Sequence, residues 1–84
     1  MLMNIKVLGP GCANCKTLHR RTQEALEGLR LEASIDKVES FEEIAKYGIL
    51  RTPGLVIDGK VVMSGSVPPV EKIKELLSAH VGAQ

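Results

Sequence analysis

Apolar residues recur along the chain with two different periods, and the switches between them mark the elements. Ile5-Lys6-Val7-Leu8 is a short apolar run closed by Gly9-Pro10-Gly11, which predicts a buried strand followed by a loop. Beyond it, Leu18, Thr22, Ala25, Leu26 and Leu29 fall three and four apart, predicting an amphipathic helix of about sixteen residues with Cys12 in its first turn. Gly28 interrupts that pattern, and Leu31-Glu32-Ala33-Ser34-Ile35-Asp36 alternates apolar with polar, as a half-buried strand does. A helix of this length is the usual right-handed crossover, so the two strands are expected to be parallel.

Ser40-Phe41-Glu42-Glu43 fits a capping box, in which the Ser40 hydroxyl accepts from the Glu43 N–H and the Glu43 carboxylate reaches back to Ser40. Phe41, Ile44 and Ala45 are expected on the buried face of the short helix that follows, with Gly48 as its left-handed stop. Thr52-Pro53-Gly54 leads into Leu55-Val56-Ile57. Asp58-Gly59 then suits a two-residue turn with positive φ, so Lys60-Val61-Val62-Met63 should pair back in a hairpin. After Gly65-Ser66-Val67-Pro68-Pro69, where a proline suits the first turn of a helix, Val70, Ile73, Leu76, Leu77 and Val81 form the stripe of a last helix. The order βαβαββα predicts an α/β fold with a four-stranded mixed sheet and helices packed on it. Eighty-four residues leave room for one core, so residues 1–84 are read as one domain.

Composition narrows the function. Hydrophobic residues make up 44% of the chain, enough for a core, but Phe41 and Tyr47 are the only aromatic residues, so that core is aliphatic. A net charge of +1 and the lack of aromatic stacking platforms speak against a nucleic-acid partner. The longest apolar stretches are far below the ~20 residues that span a bilayer, and Met1-Leu2-Met3-Asn4-Ile5-Lys6 lacks the pattern of a secretory leader. A cytoplasmic protein without membrane contact is expected. In that compartment a Cys-x-x-Cys pair is more often catalytic or metal-binding than a structural bridge.

Cys12 and Cys15 are the only cysteines, and they stand where the first strand turns into the first helix. Residues three apart on a helix have Cβ atoms roughly 5–6 Å apart, whereas a disulfide wants them about 3.5–4.5 Å apart. At a helix start the first cysteine can leave helical geometry and close the gap. The same position turns the positive end of the helix toward the Cys12 sulfur. A terminal charge gains about 0.3–1 kcal/mol there, up to ~2 when partly buried, which can lower a thiol from ~8.5 toward ~7.5. Lys16, His19, Arg20 and Arg21 follow on the same helix, and any that reach back toward Cys12 would add to the shift.

Other readings stand beside a redox pair. A structural disulfide over so short a loop yields only ~2 kcal/mol, and two buried spectator cysteines do not suit a site after Gly-Pro-Gly. Two thiolates at Cys12 and Cys15 also suit a soft metal or an iron–sulfur cluster shared by two copies, with His19 one turn on as a conceivable third ligand. A non-catalytic interaction protein is a third reading, with Leu50, Val67 and Pro68 as an apolar rim around the thiols. His80 lies near the end of the last helix, where an imidazolium is favoured, and no chemistry is assigned to it.

Taken together, Val7-Leu8-Gly9-Pro10-Gly11-Cys12-Ala13-Asn14-Cys15-Lys16, Phe41-Glu42-Glu43-Ile44, Thr52-Pro53 and Val56-Ile57-Asp58-Gly59-Lys60 resemble the thioredoxin-fold superfamily. Within it the chain is most similar to the small, glutaredoxin-like redox-active disulfide proteins. The resemblance implies a four-stranded sheet with helices on both faces and a thiol–disulfide oxidoreductase that needs no cofactor. It makes Cys12 the attacking thiol, Cys15 the resolving thiol and Pro53 a cis-proline facing the pair. Thr52 would offer its backbone to an extended substrate, and Gly11, Ala13, Asn14 and Lys16 would support the site. The partners implied are a disulfide-containing protein and an upstream thiol reductase. Two departures matter: no carboxylate matches the buried acid of thioredoxins, and Gly65-Ser66-Val67-Pro68 replaces the glycine-rich glutathione stretch of glutaredoxins, so glutathione binding is not carried over.

Overall fold

The computed structural model describes residues 3–11, 13–49 and 51–82. The expectations placed on Cys12 and Leu50 lie outside the described residues. The elements are β1 (Met3–Leu8), α1 (Ala13–Leu29), β2 (Ala33–Val38), α2 (Phe41–Ala45), β3 (Gly54–Ile57), β4 (Lys60–Ser64) and α3 (Val70–Gly82). They form one mixed sheet in the order β2-β1-β3-β4. β1 runs parallel to β2 and antiparallel to β3, and β3 pairs antiparallel with β4, as the crossover and hairpin signals predict.

Side chains alternate across a strand, so β1 feeds two layers. Met3, Ile5 and Val7 point to one face, where Leu55 and Ile57 of β3 join Leu18, Ala25 and Leu26 of α1 and Ile73 and Leu77 of α3. Leu8 points to the other face and packs with Val56 and with Ile44 of α2. Helices therefore cover both faces, and every residue of β3 is buried. The one buried polar side chain among the described residues, Thr22, is satisfied inside its own helix, its hydroxyl donating to the Leu18 carbonyl at 2.8 Å.

Several local expectations are corrected. α1 runs through Gly28 and stops at Arg30, which takes a left-handed φ of 55°. The Arg30 N–H donates to the Glu27 carbonyl and the Leu31 N–H to that of Leu26, the paired closure of a Schellman motif, with Leu31 packed on the same core as Leu26. Gly28 serves α3 instead: a Cβ there would sit 2.7 Å from Lys74 Cε, so its bareness lets the lysine stem cross. With the chain still turning at Leu31, β2 begins two residues later than the alternation suggests.

The capping box does not form. Ser40 is the N-cap of α2, yet its side chain makes no cap hydrogen bond. The Glu43 carboxylate is engaged forward, by Lys46 Nζ at 3.0 Å, rather than back toward Ser40. The apolar face of α2 also reduces to a single residue. Ile44 is buried, whereas Ala45 is exposed and Phe41 is 73% exposed, because a five-residue helix can aim only one side chain squarely at the sheet. Val81 of the α3 stripe is exposed as well, beyond the last turn over the sheet.

The β3–β4 turn has positive φ at both central residues, 48° at Asp58 and 84° at Gly59. Asp58 also ties three elements together. Its Oδ1 accepts from the Asn4 N–H and its Oδ2 lies 2.8 Å from His80 Nε2, so the turn is fastened to β1 and to the end of α3. The Asn4 backbone and then His80 hold the Asp58 carboxyl below the usual carboxylate range. A depressed acid stabilises the fold above its unfolded value, and that contribution disappears as pH falls through the folded value. Asp58→Asn keeps the turn geometry, so the stability gap between wild type and variant, measured by urea unfolding, should be present at neutral pH and shrink below about pH 4.

Candidate active site

The C-terminal end of β1 is where the chemistry-bearing residues meet. β1 delivers the chain into Gly9-Pro10-Gly11, α1 starts at Ala13, and the segment entering β3 brings Thr52 and Pro53 alongside. The Gly9 N–H donates to the Val38 carbonyl at 2.8 Å, which anchors the loop to the end of β2. Gly11 follows with φ at 90°, a conformation that suits glycine, and the Thr17 hydroxyl donates to the Ala13 carbonyl at 3.0 Å in the first turn of α1.

Cys15 points inward from that first turn and is 5% exposed. Its neighbours are close: a Cβ built on Gly9 would overlap Cys15 Sγ, and would stand 3.2 Å from Cys15 Cβ and 3.9 Å from Pro53 Cα. Gly9, Cys15 and Pro53 thus converge on one point. The Thr52–Pro53 peptide bond is cis, Pro53 is buried and Thr52 half-buried. The Pro53 carbonyl accepts from the Gly65 N–H at 2.8 Å, so the proline segment is fastened to the loop before α3. Arg21 holds the next part of that loop, Nη1 donating to the Val67 and Pro68 carbonyls at 3.3 and 3.1 Å.

Of the residues singled out in the sequence, Gly11, Ala13, Asn14 and Lys16 are exposed around this point, and Cys15, Thr52 and Pro53 are brought to it. The apolar rim is corrected: Pro68 is buried and Val67 packs against the core, both held inward by the loop that Arg21 clasps. Among the described residues there is no group of three or more His, Cys, Asp and Glu side chains arranged to hold a metal. His19 is half-buried, and burial, then the charge of Lys37, lowers its pKa.

Several residues at the site carry no motif. A cleft of about 270 Å³ opens beside the loop, lined by Gly9, Gly11, Cys15, Lys16, Lys37 and Glu39 among others. A Cβ on Gly11 would lie 3.1 Å from Glu39 Oε2, so this carboxylate leans over the loop. Lys37 was detectable, as the third member of the Ala33-Ile35-Lys37 row on β2, where a charge breaks the apolar alternation. Arg21 and Gly9 gave no such signal, since only tertiary packing shows what they touch.

The likeness to known proteins runs the length of the chain. Residues 3–78 match a family model described as a thioredoxin domain. A thioredoxin of Methanothermobacter thermautotrophicus is 36% identical over 77 residues, covering 92% of this chain and all of that protein. One from Methanocaldococcus jannaschii is 35% identical over 81 residues, 96% of this chain and 93% of the relative. Among solved structures, chloroplastic thioredoxin z superposes with a TM-score of 0.71 at 18% identity, covering 99% of this chain and 80% of that one. A thioredoxin from Fasciola hepatica gives 0.62 at 23% identity, covering 94% and 81%. These two show the fold alone. No helix of the described residues is long and apolar enough to cross a membrane. With the sheet order, the helix-start thiol and the cis-proline in one place, and with relatives matched over nearly their whole length, the chain belongs to the thioredoxin family.

Proposed function

We propose that the protein is a cytoplasmic thiol–disulfide oxidoreductase that reduces disulfides in partner proteins and is recharged by an upstream thiol reductase. Residues 1–84 act as one domain in this reading, and no cofactor takes part. The Cys12 thiolate attacks one sulfur of the substrate disulfide, and the other substrate sulfur leaves as a thiolate and takes a proton from water. Cys15, once deprotonated, attacks Cys12 Sγ. The Cys12–substrate bond breaks, the Cys12–Cys15 bond forms, and the substrate departs with the two electrons given up by the thiol pair.

The observation that carries the reading is the packing of Cys15 between Gly9 and the cis Thr52–Pro53 segment, at the start of α1. A resolving thiol needs shelter from solvent oxidants, and the burial of Cys15 supports that role. Thr52 offers backbone groups at the entry to β3, where an extended substrate would add as a strand. Gly11, Ala13, Asn14 and Lys16, the neighbours of Cys12 in the chain, are exposed, and Lys16 carries a positive charge.

Cys15→Ser is the test, because it permits the first displacement and blocks the second. Incubated with an oxidised protein substrate such as insulin, the variant should accumulate a covalent adduct that a small thiol releases, and wild type should turn over. Cys12→Ser should do neither. No adduct and no turnover, with stoichiometric metal in anaerobically purified protein, would replace the oxidoreductase by a metal-binding module.

A further inference from the structure

The segment between β4 and α3 cannot close on itself. Pro68 and Pro69 carry no backbone N–H, so two of its residues accept hydrogen bonds and donate none. Arg21 of α1 supplies a donor from outside. Its Nη1 lies 3.3 Å from the Val67 carbonyl oxygen and 3.1 Å from that of Pro68, so one nitrogen serves both. The contact is partly buried, and among the described residues Arg21 pairs with no carboxylate, which leaves its charge committed to these two carbonyls.

Two residues before Val67, the same segment reaches the cis-proline. The Gly65 N–H donates to the Pro53 carbonyl at 2.8 Å. Gly65 takes φ 80° and stands so close to Arg51 that a Cβ on it would lie 3.1 Å from Arg51 Cβ. Residues 65–68 therefore bridge α1, the helix that carries Cys15, to the Arg51-Thr52-Pro53 segment. The α1 end of that bridge is Arg21, six residues beyond Cys15.

We propose that Arg21 is a positioning residue for polypeptide substrates: by clasping the Val67 and Pro68 carbonyls it fixes how far residues 65–68 stand from α1, and with that the space open to an extended chain along Thr52. The inference rests on the oxidoreductase reading above and adds to it a residue outside the motif. A guanidinium on carbonyl oxygens in a half-buried place holds more firmly than a neutral pair. Without it the segment is tied only at Gly65, and a slack wall weakens the binding of a long chain that lies against it. A small disulfide, which needs Cys12 and little else, is nearly indifferent to that wall.

The test compares two substrates on the full-length protein. With insulin as substrate and dithiothreitol as reductant, Arg21→Met, which keeps the apolar stem and deletes the donors, should raise KM roughly tenfold and hold kcat within about twofold, the pattern of lost uniform binding. Release of the first aryl thiolate from a chromogenic aryl disulfide, followed by stopped flow, should fall far less than kcat/KM for insulin. Arg21→Lys should bring KM most of the way back, because the contact needs a single nitrogen and an ammonium is a donor in every direction it offers. A glycine inserted between Ser66 and Val67 leaves the clasp in place but loosens its link to Gly65. It should raise KM alike, with no further rise when combined with Arg21→Met, since both changes act through one connection. The insertion also carries the test if urea unfolding shows Arg21→Met to be unfolded.

A purely structural role for Arg21 would lower stability and leave the split between the two substrates as it is in wild type. An unmoved KM, equal losses on insulin and on the aryl disulfide, or no recovery with Arg21→Lys overturns the inference and leaves the clasp as a fastening of the fold. Additive rises from the insertion and Arg21→Met overturn it as well. Wild type that neither turns over insulin nor releases aryl thiolate overturns the oxidoreductase reading, and this inference with it.

Discussion

Gly9→Ala is expected to slow resolution by Cys15 roughly tenfold to a hundredfold, the scale on which a displacement of about 1 Å acts on a positioned reaction. Gly9 is not among the glycines with positive φ, so alanine meets no backbone objection. The effect comes from space alone. The new methyl group would overlap Cys15 Sγ and stand 3.9 Å from Pro53 Cα, so the sulfur or the backbone around it must shift. Cys15 is almost wholly buried and the Gly9 N–H is tied to Val38, which leaves rotation of the thiol or a shift of the first turn of α1 as the outlets. Overpacking of this kind costs about 1–3 kcal/mol. Cys12 attack should be much less affected, so with a chromogenic aryl disulfide, which releases one aryl thiolate when Cys12 attacks and a second when Cys15 resolves the adduct, the first release stays near its wild-type rate and the second falls. Equal loss in both steps would show that the substitution disturbs the loop as a whole.

Why Gly9 was not legible in advance is instructive. In the chain it reads as one of the residues of a Gly-Pro-Gly loop, and loop chemistry explains it fully. Its closeness to Cys15 and to Pro53 appears only when the loop, the first turn of α1 and the segment entering β3 are packed together, and Pro53 lies more than forty positions further along the chain. The strands and helices were legible because their signals are local. Period and length identify β1, α1 and α3, and Asp-Gly identifies the hairpin, whose two positive φ values are as the turn type requires. Parallel pairing of β1 with β2 followed from the length of the crossover.

Where local signals conflicted, tertiary contacts decided. Gly28 had every mark of a helix stop, yet the stop is Arg30, because α3 needs the bare glycine surface for the Lys74 stem. Ser40 and Glu43 had the spacing of a capping box, but Lys46 lies three residues ahead of Glu43 and engages its carboxylate. His80, given no role on sequence grounds, is brought to Asp58 by the return of α3 across the sheet, a meeting no short-range rule describes. At the site, Cys15, Thr52 and Pro53 were legible by motif. Lys37 and Glu39 acquire meaning only once β2 is set beside the loop.

Leu18→Ala is expected to destabilise the fold by about 2–5 kcal/mol, the range for removing a fully buried leucine side chain. Leu18 has no exposed surface and lies on α1, one turn after Cys15, against β1, β3 and α3. A domain of this length has a total stability on the order of 4–13 kcal/mol, so the loss takes roughly a sixth of it at the least and can exceed the whole. At ~4–8 °C per kcal/mol, the thermal midpoint should fall by roughly 8–40 °C. Phe41→Ala provides the contrast. By side-chain size Phe41 is the obvious anchor of α2, but it is 73% exposed, and its truncation should change stability by no more than about 0.5 kcal/mol. Urea unfolding of the two variants side by side tests where the core lies. If Phe41→Ala proved the more costly, α2 would have to be turned about its axis, with Phe41 rather than Ile44 against Leu8 and Val56; the order expected here ties the stability of the molecule to the aliphatic layer under α1, the helix that carries the thiols.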